Sequence, residues 1–193
     1  MTVSSKIPHF IYIGAPKAGS TWLFEVLREH PDVFLPAGKE LQFFDKYYEN
    51  GLNWYFRQFS QATAGCVTGD ISPEYFLHPD AAARIRAANP EVRILVCLRE
   101  PIDSMVSWYY QLRSIGSVSH ESLDEYIVSE ASNSRVDYGT LLAPYFENFR
   151  RDQILILFFD ELSADPRSFI DKVLNHIGLP AGYESEKLSQ IIW

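Results

Sequence analysis

The sequence predicts an α/β protein with a three-layer P-loop-type fold, in which helices flank a central parallel sheet. Apolar strand-like runs alternate with helix-like segments, and a glycine loop directly follows the first of these runs. The runs at 92–98 and 153–159 are almost continuously apolar. Such runs are typical of parallel strands that are covered on both faces. Alternation of strands and helices implies right-handed crossovers and therefore a parallel sheet.

The individual elements follow from local patterns along the chain. The predicted strands are 9–14, 65–70, 92–98 and 153–159, and the predicted helices are 22–30, 79–88, 104–113, 138–150 and 166–176. Pro101 suits the first turn of the third helix, and Gly178 is a good C-terminal cap for the last one. The Ser- and Gly-containing stretch 114–120 and the stretch 129–137 are predicted loops.

Size and composition limit the class of protein. A chain of 193 residues fits one domain, 1–193, and 47% hydrophobic and 15% aromatic residues are ample for a packed core. No apolar run reaches the ~18–20 residues of a membrane span. The first strand begins about six residues after Met1, which leaves no room for a signal peptide, so a cytoplasmic location is expected. The net charge of −8 argues against nucleic acid or an anionic membrane as partner.

The cysteines and histidines give no sign of a metal site. Cys66 and Cys97 lie in apolar strand-like segments without the spacing of metal ligands, and we expect both to be buried free thiols. The five histidines are scattered along the chain. No metal is therefore predicted.

Residues 14–22, Gly-Ala-Pro-Lys-Ala-Gly-Ser-Thr-Trp, form the most informative segment. A glycine loop between a strand and a helix directs backbone N–H groups and the positive end of the helix dipole towards one anion. Gly14 and Gly19 have the spacing of the nucleotide-triphosphatase loop GxxxxGK[ST], but Ser20 occupies the lysine position and Lys17 lies three residues earlier. This displacement argues against a P-loop kinase or ATPase, which is the alternative from another enzyme class.

The loop resembles the 5′-phosphosulfate loop of the sulfotransferases that use 3′-phosphoadenosine-5′-phosphosulfate (PAPS). In that family a lysine precedes a Gly-[Ser/Thr]-Thr turn, as it does in residues 16–22. The resemblance implies PAPS as cofactor and a role for Lys17 in stabilising the leaving group. The cofactor-binding residues that it implies here are Lys17, Ala18, Gly19, Ser20, Thr21 and Trp22.

A second motif follows the third predicted strand. Arg99-Glu100-Pro101 resembles the Arg-x-Pro element of the sulfotransferases, which carries a serine eight residues after the arginine, here Ser107. The resemblance assigns Arg99 and Ser107 to the 3′-phosphate of PAPS. Arginine offers a planar fork of donors to a phosphate, and serine adds a hydroxyl. The two side chains converge only if a helix begins between them.

The segment 38–44, Gly-Lys-Glu-Leu-Gln-Phe-Phe, resembles the one that supplies the catalytic glutamate in the carbohydrate (heparan-sulfate-type) sulfotransferases. The resemblance implies that Glu40 is the general base, because a hydroxyl acceptor must lose its proton during transfer. Members that act on phenols and steroids usually use histidine, and His30 and His78 keep that alternative open. Some relatives have a basic residue near position 71, where this chain has Ile71.

The resemblance predicts transfer of a sulfuryl group to a hydroxyl, or an amine, of a saccharide, lipid or secondary-metabolite acceptor. A catalytically inactive PAPS-binding module is the second prediction. The resemblance covers about residues 8–180, and family members generally continue further, so the chain is expected to lack the usual C-terminal segment. A homo-oligomer is left open.

Overall fold

Five parallel strands form one sheet in the order β2-β3-β1-β4-β5. The structure is a computed structural model that describes residues 7–117, 122–129 and 133–189. The strands are β1 (Phe10–Gly14), β2 (Val33–Phe34), β3 (Val67–Ile71), β4 (Arg93–Leu98) and β5 (Ile154–Phe158). The predicted parallel sheet is confirmed. The sequence missed only β2 among these strands, because a two-residue strand has no readable pattern.

The helices connect the strands and cover both faces of the sheet. They are α1 (Ser20–Glu29), α2 (Leu52–Arg57), α3 (Ala81–Ala88), α4 (Pro101–Ser114), α5 (Leu123–Ile127), α6 (Tyr138–Asn148), α7 (Phe159–Ala164) and α8 (Pro166–Ile177). The five predicted helices are present, with ends that differ by up to three residues. Those that the sequence missed, α2, α5 and α7, have only five or six residues each. The predicted loops 114–120 and 129–137 lie partly outside the described residues.

Alternate residues of the central strand enter different layers of the core. Phe10 and Tyr12 of β1 pack in the cluster that includes α1 and α8, whereas Ile11 and Ile13 pack in the cluster that includes α3 and α6. The residues of β4 divide in the same way, with Leu95 and Cys97 in the first cluster and Ile94, Val96 and Leu98 in the second. Both faces of the sheet are therefore buried, which explains the continuous apolar runs.

The strand order brings the predicted motifs to one edge of the sheet. β1 lies between β3 and β4, and all three strands run in the same direction. The glycine loop, the 3₁₀ turn Pro73–Leu77 and Arg99 follow the carboxyl ends of β1, β3 and β4, respectively. Ligands of open α/β sheets bind at this edge.

The two cysteines are free but differ in exposure. Cys97 of β4 is buried, and burial raises the pKa of its thiol. Cys66 is only partly buried, so the expectation of two buried thiols is wrong for Cys66. Cys66 precedes β3 in a turn, and its thiol lies near Thr63 rather than in the core. Among the described residues, no helix has the length and apolar character needed to span a membrane.

Gly69→Ala should destabilise the fold, because the position is filled by an aromatic ring. Gly69 pairs with Phe10 across β3 and β1, and an added Cβ would lie 2.1 Å from the ring of Phe10. Overpacking of this kind costs roughly 1–3 kcal/mol of the free energy of unfolding. Urea unfolding measures the effect. Gly38→Ala is the control, since nothing lies within 4 Å of its added Cβ; equal losses in both variants would contradict this account.

Candidate active site

A cavity of about 210 Å³ lies at the carboxyl edge of the sheet. Its lining brings together predicted residues from three separate segments: Lys17, Gly19, Ser20, Thr21, Glu40, Arg99 and Ser107. It also includes Lys39, Glu74, Trp108 and Gln111, which are not among the predicted site residues. The cavity therefore joins the glycine loop, the Glu40 segment and α4 in one site.

The glycine loop turns sharply into α1. Gly19 has a φ of 85°, in the left-handed region, and an added Cβ would lie 2.7 Å from Cδ2 of Leu162. Both the backbone conformation and the space therefore favour glycine. α1 begins at Ser20, so Ser20 and Thr21 line the cavity from its first turn, where helix N–H groups have no acceptor within the helix.

The side chains of Ala18 and Trp22 lie in the core and not at the cavity, so neither side chain can contact a cofactor there. Both side chains are buried in the core with 1% exposure and do not line the cavity. Nε1 of Trp22 donates a hydrogen bond to the carbonyl of Lys187, at 3.1 Å. Only the main-chain groups of Ala18 and Trp22 can therefore contact a ligand bound at the loop.

The end of β1 also approaches the turn that follows β3. Gly14 has a φ of 146°, and an added Cβ would lie 2.6 Å from the carbonyl oxygen of Pro73 and from Cβ of Phe76. The glycine loop and the turn Pro73–Leu77 therefore pack backbone against backbone. Glu74, which lines the cavity, is carried by this turn.

Lys17 is held with its ammonium group at the cavity. Its φ is 66°, its carbonyl accepts a hydrogen bond from Nη1 of Arg99 at 3.1 Å, and its Nζ donates to Oε1 of Gln111 at 2.6 Å. Burial, and then the charges of Arg99 and Lys39, lower the pKa of Lys17. A ligand anion at this point would offset the repulsion among the three cations.

Arg99 is fixed at the end of β4. Its guanidinium lies over the ring of Phe159, 4.6 Å from the centroid, and the hydroxyl of Tyr138 donates to its carbonyl at 2.8 Å. Nε of Arg99 is buried and has no hydrogen-bond partner among the described residues. α4 begins at Pro101, between Arg99 and Ser107, and both side chains reach the cavity. An orphaned buried donor and a ring of cations fit a polyanionic nucleotide.

Glu40 lies next to the glycine loop. Its carboxylate accepts a hydrogen bond from Nζ of Lys39 at 2.6 Å, and the same ammonium donates to Oγ1 of Thr21 at 3.3 Å. The backbone N–H of Glu40 donates to the carbonyl of Ile71 at the end of β3. Glu40 and Gln42 both have positive φ, 65° and 49°. Residues other than glycine rarely adopt this conformation, so the surroundings must hold it.

A buried carboxylate, Asp70, holds the segment that carries Glu40. Asp70 is 1% exposed and accepts hydrogen bonds from the hydroxyls of Tyr55 and Tyr75, both at 2.9 Å, and from that of Ser72 at 2.7 Å. An ionised carboxylate only accepts, so each hydroxyl proton is directed towards Asp70. The oxygens of Ser72 and Tyr75 are then free to accept from the Glu40 segment.

Two backbone N–H groups of the Glu40 segment use those oxygens. The N–H of Gln42 donates to Oγ of Ser72 at 3.3 Å, and the N–H of Phe43 donates to the hydroxyl of Tyr75 at 2.9 Å. Burial raises the pKa of Asp70 to about 6, although the three hydroxyl hydrogen bonds act in the opposite direction. Asp70 thus sets the position of the candidate base without lining the cavity.

The histidines offered as alternative bases do not line the cavity. Nδ1 of His30 accepts from the N–H of Asp32, and Nδ1 of His78 accepts from the N–H of Asp80. Both rings therefore cap local turns. Ile71, which stands where some relatives have a basic residue, is buried in the core.

The residues that sequence reasoning missed had weak local signals. Lys39 is adjacent to Glu40, and Trp108 and Gln111 lie one and four residues after Ser107 on α4, so that Ser107 and Gln111 share a face. Glu74 had no signal of its own, because its position depends on the turn after β3. Across residues 7–117, 122–129 and 133–189, no group of three or more His, Cys, Asp or Glu side chains could hold a metal ion.

Comparison with known protein families shows to which family the chain belongs. The family described as "Sulfotransferase domain" matches residues 7–192. The chain belongs to the sulfotransferase family. Sulfotransferases are enzymes that use PAPS as sulfuryl donor. The prediction that the chain is a sulfotransferase is confirmed.

Curated sulfotransferases with carbohydrate substrates in their names are among the relatives. Mouse heparan sulfate glucosamine 3-O-sulfotransferase 3B1 is 31% identical over 186 residues, which cover 91% of this chain and 47% of the relative. Membrane-associated sulfotransferase kil1 of Dictyostelium discoideum is 33% identical over 107 residues, which cover 54% of this chain and 23% of the relative. This sulfotransferase chain spans about half the length of the heparan sulfate relatives that it matches.

Solved sulfotransferases share the fold. A sulfotransferase from Alicyclobacillus acidocaldarius superposes with a TM-score of 0.83 at 24% identity, over 93% of this chain and 84% of that one. Mouse sulfotransferase SULT7A1 was solved in complex with PAP (3′-phosphoadenosine-5′-phosphate). It superposes with a TM-score of 0.65 at 16% identity, over 96% of this chain and 63% of that one. The predicted three-layer α/β fold is therefore confirmed.

The buried Asp70 should make stability depend on pH. Its folded-state pKa of about 6 lies above the usual 3.8, so the folded protein holds an extra proton between these values. The associated stabilisation, on the order of 3 kcal/mol, is fully present below pH 3.8 and is lost as the pH rises through about 6. The difference in free energy of unfolding between the wild type and Asp70→Asn should therefore fall from pH 4 to pH 7. Urea unfolding at a series of pH values measures it.

Asp152→Asn provides a control of opposite sign. A side-chain hydrogen bond from Arg150 lowers the pKa of this exposed carboxyl, so the corresponding difference should grow as the pH rises from acid to neutral. A difference for Asp70→Asn that also grows with pH would show that its pKa is not raised.

Proposed function

We propose that this chain transfers the sulfuryl group of PAPS to a hydroxyl, or an amine, of a small-molecule or glycan acceptor. The observation that carries the proposal is the bridge formed by Lys39, whose ammonium contacts both Thr21 of the glycine loop and the carboxylate of Glu40. Oγ1 of Thr21 in the glycine loop and the carboxylate of Glu40 therefore contact the same ammonium group within one cavity.

Donor binding is assigned to the glycine loop and to the end of β4. The main-chain N–H groups of residues 19–22 and the hydroxyls of Ser20 and Thr21 would hold the 5′-phosphosulfate. Arg99, whose buried Nε has no hydrogen-bond partner within the described part of the chain, and Ser107 would hold the 3′-phosphate and so select PAPS over ATP. PAPS, when bound, supplies the sulfuryl group, whose bond to the 5′-phosphate oxygen breaks as the acceptor oxygen bonds to sulfur.

Lys17 and Glu40 are assigned the two tasks of the chemical step. The ammonium of Lys17, fixed by Gln111, stabilises the negative charge that develops on the departing phosphate oxygen. A fixed donor aimed at developing charge is worth roughly 3–4 kcal/mol. Glu40 accepts the proton of the acceptor hydroxyl, and the hydrogen bond from Lys39 orients that carboxylate.

A thermal shift experiment tests the donor site directly. The protein is heated with PAP or with ADP, each with and without magnesium. A ligand that binds only the folded state stabilises it by ~2.7 kcal/mol at a hundredfold excess over Kd. A metal-independent shift specific to PAP is expected. A larger shift with magnesium and ADP would favour a kinase, and PAP binding without turnover would identify an inactive PAPS-binding module.

Lys17→Ala should depress turnover much more than PAP binding, because the ammonium acts mainly on charge that develops during transfer. We expect a loss of roughly a hundredfold or more in kcat, from the value of one such donor. Sulfonation of a hydroxyl acceptor with radiolabelled PAPS measures turnover, and calorimetry measures PAP affinity. Lys172→Ala, which removes an exposed lysine paired with Glu161, is the control. Intact turnover in Lys17→Ala would contradict the role.

Glu40→Gln should keep PAP affinity and lose sulfonation, because the amide is close in size to the carboxylate but cannot accept the acceptor proton. General-base catalysis contributes about 10²–10⁴-fold, and the rate should fall by that range. The same two assays apply, with the exposed Glu49→Gln as control. An unchanged rate would move the base to another residue.

A further inference from the structure

The lining of the cavity includes a second carboxylate, that of Glu74, which has no role in the proposed transfer step. Glu74 lies in the turn Pro73–Leu77, and its side chain is 27% exposed. Its Oε2 is 3.7 Å from Nη2 of Arg135, which is longer than a hydrogen bond. Burial is the main cause that raises the pKa of Glu74. This carboxylate therefore faces the cavity without a close donor from Arg135.

Arg135 and Trp108 complete this wall. The guanidinium of Arg135 lies 3.9 Å from the centroid of the Trp108 ring. Arg135 and Trp108 also line a small recess that adjoins the cavity at Lys17. The ring holds Arg135 beside Glu74 but not in bidentate contact with it. Glu74, Arg135 and Trp108 thus form one group of neighbouring side chains, with Glu74 and Trp108 at the cavity and Arg135 in the adjoining recess.

The charges around Glu74 do not favour a polyanion. The carboxylates of Glu40 and Asp45 and the cations Arg135 and Lys46 act on Glu74. Lys46 already donates to Oε1 of Gln42 at 3.2 Å, and Arg135 already faces Glu74 itself. Glu40 is itself paired with Lys39, so Arg135 and Lys46 are balanced by Asp45 and Glu74. The other two cations that line the cavity, Lys17 and Arg99, are assigned to the donor nucleotide. The bound donor nucleotide adds further negative charge, and like charges in one cleft disfavour a ligand strongly.

We propose that the acceptor is a neutral or cationic hydroxyl compound, and that Glu74 accepts a hydrogen bond from a hydroxyl or ammonium group beside its reacting hydroxyl. An ionised carboxylate can only accept, so a sulfate or carboxylate of the acceptor could not pair with it. The inference rests on the proposed function. It distinguishes this chain from the relatives whose names specify heparan sulfate, a polyanion.

Three forms of one glucosamine oligosaccharide test this inference. The free-amine, N-acetyl and N-sulfo forms share their hydroxyls and differ in charge. Each is titrated at pH 7 into the PAP-loaded protein and followed by calorimetry, so that acceptor choice is measured apart from turnover. We expect the free-amine and N-acetyl forms to bind at least about tenfold tighter than the N-sulfo form, the effect of roughly one lost charge-assisted hydrogen bond. Equal or tighter binding of the N-sulfo form, or no binding of any form, would overturn the inference.

Substitutions of Glu74 test whether this residue determines which form of the oligosaccharide binds most tightly. Glu74→Gln should reduce the advantage of the free amine over the N-sulfo form by about tenfold. Glu74→Lys should reverse the order, and PAP affinity should not fall, because the substitution adds positive charge to the cavity. The exposed Glu91→Gln is the control and should keep the wild-type order. An order that is the same in all four proteins would show that Glu74 does not select the acceptor.

The two proposals fail in different measurements. A wild-type protein that does not bind PAP contradicts the proposed function at the donor site. A protein that binds PAP and prefers the N-sulfo form keeps its donor site and contradicts only the acceptor inference.

Discussion

The arrangement of the candidate site depends on one buried carboxylate. Asp70, which only accepts hydrogen bonds when ionised, orients the hydroxyls of Tyr55, Tyr75 and Ser72 inward. Two of these oxygens then accept from the backbone of the segment that carries Glu40. The segment keeps two non-glycine residues at positive φ, a conformation that costs free energy unless it is held. A polar network in the core therefore fixes the segment that carries the candidate base, Glu40, at the surface of the cavity.

An acidic protein can still bind a polyanionic nucleotide, because local charge outweighs net charge. The chain carries a net charge of −8, yet Lys17, Lys39 and Arg99 all line one cavity. Burial, and then repulsion from Arg99 and Lys39, lowers the pKa of Lys17, and an anion bound beside Lys17 would relieve that repulsion. The charge at the carboxyl edge of the sheet, rather than the net charge of the protein, therefore determines whether a charged ligand binds there.

The sequence predicted what is local and missed what is long-range. The glycine loop, the Arg99 and Ser107 pair and the buried strands each follow from patterns within about ten residues, and the structure has them where they were expected. The side chain of Trp22 lies in the core, because helical periodicity turns the residue after Thr21 inward, so only its main chain can take the predicted binding role. The contacts of Asp70 with Tyr55, and of Glu74 with Arg135, join segments that only the folded sheet brings together. No local pattern could reveal those pairs.

The close approach of Gly14 to the turn after β3 links the two halves of the site. Because backbone meets backbone there, the turn that carries Glu74 cannot shift without displacing the loop that carries Lys17. A change of the side chains on this turn can therefore alter the cavity without a movement of the backbone that would disturb the glycine loop. Selectivity for the acceptor, which we propose depends on Glu74, can then diverge by exchange of one side chain while the glycine loop keeps its geometry.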